Sequence, residues 1–134
     1  MTATKKISES EIILQKMHSL SEQEIQVELH NFVKNIHEVF LHLLDEYNVK
    51  FALKIERIGL EKFKSVAKKT GKIDAINFLI WYEKEYKKLR NDPEFGKILE
   101  REHTTLENKS DIIRICSTLL NEAKKISYHA YENF

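Results

Sequence analysis

One cysteine, one proline, three glycines and one tryptophan in 134 residues leave this chain with little punctuation. The lone Cys116 excludes an intramolecular disulfide and any cysteine-cluster metal site, and it suits a reducing compartment. The glycines stand isolated at Gly59, Gly71 and Gly96, so neither a phosphate loop nor a dinucleotide fingerprint can be assembled. With Pro93 the only proline, there are too few turn formers for a sheet of many short strands. No apolar run reaches the roughly 18 residues a membrane helix needs. The start Met-Thr-Ala-Thr-Lys-Lys continues into polar residues rather than a signal-peptide core. An excess of one charge is also missing: 22 Lys+Arg against 21 Asp+Glu leave a net charge of +1, so no global field draws the protein to nucleic acid or anionic lipid. Any basic surface must be local. These absences set the expectation of a cytoplasmic protein with no cofactor, no metal and no membrane partner.

What is present is helical periodicity. Hydrophobic residues make up 42% of the chain and recur at three- and four-residue spacings, which predicts an all-α fold, a compact bundle of five to six helices, two of them long. Residues 1–134 read as one domain, with residues 1–20 an N-terminal helix that can sit at its periphery. Ser8 and Glu11 have capping-box spacing and predict the start of that first helix; Ser21 and Glu24 repeat the box ahead of a second helix of about 26 residues. Asn48 is the expected left-handed residue after it. From Val49 to Ile58 the alternation of Phe51, Leu53 and Ile55 points to an irregular connection. A short helix then stops at Thr70-Gly71. The next helix, Ile73 to Arg90, is expected to turn Ile73, Ile76, Leu79 or Ile80, and Tyr86 or Leu89 inward. Asp92-Pro93 restarts the chain as N-cap and first helical residue. Ser110 is expected to cap a last helix whose stripe runs from Ile112 to Ala130. The two long helices can pack antiparallel as the bundle core.

Few of the chemistry-bearing residues form a recognisable site. His30, His37 and His42 are spaced by seven and five residues and cannot converge on a metal as a pair four apart would. Glu100 and His103 form one Glu-x-x-His, but a di-iron bundle needs a second and none exists. Cys116 lies within an apolar stripe, where a thiol behaves as a small hydrophobe. Trp81-Tyr82 can be a platform for bases or core filling beside Phe78 and Tyr86; adjacent helical positions point about 100° apart, so at most one is fully inward. Lys62, Lys64, Lys68, Lys69 and Lys72, followed by Lys84, Lys87, Lys88 and Arg90, could form one basic patch for phosphates. With Glu61, Glu83 and Glu85 interleaved, a solvated surface is the preferred reading.

The order of features resembles the HEPN superfamily over roughly residues 22 to 130: a long helix with aromatics, Phe51 and a Leu60-Glu-Lys-Phe63-Lys segment, the Phe78-Leu-Ile-Trp81-Tyr82 helix, then Asp92-Pro93 and a short helix leading to an Arg-containing turn. The resemblance implies a helical domain, often dimeric, whose catalytic members are metal-independent ribonucleases using an Arg and a His about four to six residues further on. Arg101 is the natural counterpart of that Arg, but the positions where the His would fall hold Leu106, Glu107 and Asn108. His103 follows too closely, and Arg90-Asn91 meets Phe95 and Gly96 instead. Glu102 and Glu107 would bring negative charge toward a scissile phosphate, which opposes the chemistry. The resemblance therefore implies a homodimeric, non-catalytic module that binds RNA or a protein partner. A ribonuclease using Arg101 and His103, or a small helical subunit of a ribonucleoprotein assembly, are its alternatives.

Overall fold

A computed structural model of the chain describes residues 2–99 and 108–134. Within them the protein is an all-helical bundle of six helices: α1 (Ala3–Met17), α2 (Glu24–Lys50), α3 (Leu60–Thr70), α4 (Ile73–Asn91), α5 (Pro93–Leu99) and α6 (Lys109–Asn133). No strand occurs among the described residues.

The helix starts show which capping signals act. α1 begins at Ala3, not at Ser8: the Thr2 hydroxyl accepts from the Lys5 amide, and residues 3–7 continue the helix without a break. Ser8 is left on its exposed side. The Ser21–Glu24 box does form, with the Glu24 amide donating to Ser21 Oγ at 3.2 Å and the Ser21 amide donating to Glu24 Oε1 at 3.3 Å. Asp92 Oδ1 accepts from the amides of Glu94 and Phe95, as an N-cap ahead of Pro93 should. At α6 the cap is Asn108, whose Oδ1 accepts from the Ser110 amide at 2.8 Å; Ser110 itself is inside the helix.

Asn48 is not a terminal residue. α2 runs on through Lys50, and Asn48 is buried within it. Its side chain reaches forward seven residues, donating to the Ile55 carbonyl at 2.9 Å and accepting from the Ile55 amide at 3.0 Å. These bonds pin the irregular connection, in which Ala52 and Lys54 adopt positive φ while Leu53 and Ile55 point into the core. Gly71, at φ 64, closes α3 in the left-handed conformation that glycine adopts without a Cβ penalty.

The long helices α2 and α6 run parallel rather than antiparallel. Tyr47 near the end of α2 donates its hydroxyl proton to the Ala130 carbonyl near the end of α6, and Lys50 reaches the Phe134 carbonyl. Antiparallel to both, α1 pairs Lys6 with Glu38, Lys16 with Glu28, and Glu11 with Lys124. α4 is likewise antiparallel to α2, setting Phe78 against Tyr47 and Tyr82 against Phe40. The four long helices thus alternate in direction along the chain.

Aromatic residues fill the end of the bundle where these helices meet. Phe78 is fully buried, stacked on Tyr47 at 4.2 Å and in ring contact with Phe51, Phe63, Tyr82 and Phe134. Because Phe78 and Tyr82 define the inward face of α4, Ile73 and Ile80 are left on its outer face at 71% and 63% exposure. The larger rings bury more area, so they decide the rotation. The stripe of α6 is buried as expected, from Ile112 through Cys116 and Leu119 to Ala130.

Gly96 marks a close approach of backbone. A Cβ there would stand 2.7 Å from the Arg90 carbonyl oxygen, where α5 folds back on the end of α4. Gly96→Ala is expected to cost about 1–3 kcal/mol through overpacking, seen as a lower urea midpoint. An unchanged midpoint would mean that the α4–α5 corner opens freely.

Candidate nucleic-acid interface

α3 and α4 form a helical hairpin through Gly71 and Lys72, so the first turn of α3 lies beside the second half of α4. Between them is an open cleft of about 460 Å³ lined by Leu60, Glu83, Lys84, Tyr86, Lys87, Arg90 and Asn91. Lys84, Lys87 and Arg90 are exposed, at spacings of three residues that keep them on one side of α4. Lys84 and Lys87 have no carboxylate partner among the described residues. The carboxylate that does line the cleft, Glu83, is engaged by Lys64 at 3.7 Å.

Tyr86 forms part of the cleft wall, but its ring is occupied: the Arg90 guanidinium lies 5.9 Å from its centroid and Tyr82 is stacked on it at 6.0 Å. Its hydroxyl is 3.3 Å from His37 Nδ1, and His37 Nε2 is 3.3 Å from the Leu99 carbonyl oxygen. His37 therefore bridges α2, α4 and α5. The cleft offers charge and a small apolar floor at Leu60, with no open ring for stacking.

The lysines expected to share one patch are distributed over several places. Lys84, Lys87 and Arg90 line the cleft, with Lys64 at its edge. Lys62 lies on the other side of α3, in a separate cleft with Lys54 and Arg57. Lys68 and Lys69 are at the far end of α3, about one and a half turns away. Lys88 is not among the residues lining the cleft and pairs with Glu85, while Lys72 donates to the Phe51 carbonyl. Exposed ion pairs such as Lys88–Glu85 contribute at most about 1 kcal/mol and are readily exchanged for another anion.

Other candidates resolve differently. Tyr82 is the inward member of its pair, donating to the Phe40 carbonyl at 3.1 Å, with its hydroxyl pKa raised by burial. Trp81 is half-buried and stacked on His129 at 5.1 Å, which seals the seam between α4 and α6. His30 and His42 lie at the surface of α2. No group of three His, Cys, Asp or Glu side chains among the described residues could hold a metal ion. Arg101 and His103, the pair named for ribonuclease chemistry, lie outside the described residues, as do Glu100, Glu102, Leu106 and Glu107. Among the described residues no helix is long and apolar enough to cross a membrane.

Cys116 is fully buried, and burial pushes its thiol pKa up to about 12. At pH 8 only about one molecule in ten thousand would carry the thiolate that reacts. A disulfide reagent is expected to label it in urea and hardly at all in the native protein; rapid native labelling would place the thiol at the surface.

No protein-family model, curated protein or solved structure matches this chain.

Proposed function

We propose that this chain is a HEPN-like, non-catalytic helical module that holds RNA by its phosphates in the cleft between α3 and α4. The observation that carries the reading is the row of Lys84, Lys87 and Arg90 along a groove whose carboxylate, Glu83, is engaged by Lys64. No imidazole lines that groove among the described residues, which favours binding over cleavage. With a net charge of +1, the protein has no general affinity for polyanions, so such a cluster is where one would be held.

Binding of labelled single-stranded RNA, followed by anisotropy, tests this. Three phosphate contacts give a slope of log affinity against log salt no shallower than about −2. The double variant Lys84→Glu, Lys87→Glu is expected to lose about tenfold or more, since each contact is worth about 0.8 kcal/mol near about 0.15 M salt. Absence of binding, or binding indifferent to salt, sinks the reading.

Homodimerisation belongs to the same proposal. Ile73 and Ile80 stand seven residues apart on the outer face of α4, about 10 Å along the axis, and offer an apolar seam to a second copy. Light scattering should give twice 15.9 kDa, falling to one copy with Ile80→Glu. A monomer at every concentration rejects this part.

A further inference from the structure

The connection between α2 and α3 makes a second basic cleft. Lys54, Glu56, Arg57, Lys62 and Val66 line an opening of about 530 Å³. Lys54 is turned outward by a left-handed backbone at φ 59, between Leu53 and Ile55, which are 6% and 7% exposed. A non-glycine residue holds such a conformation only where its surroundings enforce it. Here they do: Asn48 bonds both main-chain groups of Ile55, and Lys72 donates to the carbonyls of Phe51 and Ala52. Lys54 is thus presented by a braced segment, so less ordering entropy would be lost on binding there.

The two clefts meet at the first turn of α3. Leu60 lines the α4 side and Lys62 the other, and two residues on a helix point about 160° apart. A helix with side chains is about 10–12 Å across, so a strand crossing α3 from one side to the other must span about that width. Glu61 stands between them, exposed, and Gly59 at the helix tip leaves open space.

We infer that the two clefts form one track, in which a single RNA strand passes over the first turn of α3 from Lys84, Lys87 and Arg90 to Lys62, Arg57 and Lys54. This rests on the RNA-binding reading above and extends it to a second contact region. A strand of phosphates can engage both openings because it carries a charge at every residue and can bend over a convex helix, which a duplex of persistence length about 150 base pairs does not. Glu61 is the one carboxylate on the crossing and works against it. Glu56 in the second cleft lowers that end's share.

The test compares one RNA oligomer of about eight nucleotides on the parent and four variants, each variant checked for unchanged helical circular dichroism and thermal midpoint. Arg57→Glu with Lys62→Glu is expected to weaken binding about tenfold and to make the salt slope shallower by about 1.4, for two lost contacts. Lys54→Asn, a residue that accepts the left-handed backbone, should weaken it about threefold. Glu61→Gln should tighten it about threefold. If the Arg57/Lys62 and Lys54 variants bind as the parent does while Lys84→Glu, Lys87→Glu binds weakly, the track is overturned and the α4 cleft stands alone. If none of the variants alters binding, or no RNA binds, both readings fall. Displacement of the RNA by polyglutamate at equal charge concentration also overturns the track, in favour of an acidic protein segment.

Discussion

Truncating Phe78 to alanine is expected to cost about 3–5 kcal/mol, enough to remove much of the stability of a domain this size. The ring has no exposure and touches residues from α2, the irregular connection, α3, α4 and the end of α6. A cavity there cannot close by moving one neighbour, because Tyr47 is held by its bond to the Ala130 carbonyl and Tyr82 by its bond to the Phe40 carbonyl. The loss therefore includes both the transfer of the ring and the void it leaves. Urea unfolding should show a lower midpoint with an unchanged slope. A drop below about 1 kcal/mol would mean that the aromatic cluster repacks, and that the ring contacts described are not fixed ones. Trp81→Ala, at a half-buried position, should cost less than Phe78→Ala.

Asn48→Leu is the second large effect, expected at about 2–4 kcal/mol with the number and branching of the side-chain heavy atoms kept. Leucine leaves the Ile55 amide and carbonyl without partners, and each orphaned buried group costs about 1–3 kcal/mol. The chain can escape that penalty by letting residues 51–59 lift into water, which exposes Leu53 and Ile55 instead. Hydrogen exchange distinguishes the two responses: lifting accelerates the Ile55 amide far more than those of α6. A variant as stable as the parent, with that amide still protected, would show that Asn48 does not brace the connection. Where the Lys54 track is also correct, Asn48→Leu should weaken RNA binding without removing a single cation.

Helix faces were legible in the sequence and helix directions were not. The stripe from Ile112 to Ala130 and the Ser21–Glu24 box are local patterns that the fold keeps, whereas the Ser8–Glu11 box goes unused because Thr2 caps α1 earlier in the chain. The parallel run of α2 and α6 is a consequence of how many helices lie between them, and periodicity carries no sign for direction. Asn48 has the composition of a helix end, but its role comes from a partner seven residues on that no propensity scale includes. Ile73 and Ile80 misled in a different way: apolar residues at helical spacing mark a face, and on α4 the rings of Phe78 and Tyr82 compete for the same core and win. At the candidate interface the cations were readable one by one. Their grouping was not, because the antiparallel α3–α4 hairpin brings Lys62 and Lys64 to opposite sides of one helix and sends Lys68 and Lys69 to its far end. Lys54 and Arg57 escaped notice because they lie in the connection rather than in a lysine-rich helix.

Packing α1 against α6 has a kinetic consequence. Thr4 and Tyr131, whose hydroxyls lie 3.5 Å apart, are separated by 127 residues. Bringing such distant points together costs about 2 kcal/mol more chain entropy than closing a loop of ten residues. α1 packs mainly on its chain neighbour α2, and the α1–α6 seam adds contacts between helices far apart in the sequence. Helical proteins as a class fold fast because their contacts are local, and the α1–α6 contact is not local. Mutations along the α1–α6 seam should accordingly speed unfolding and leave the folding rate almost unchanged.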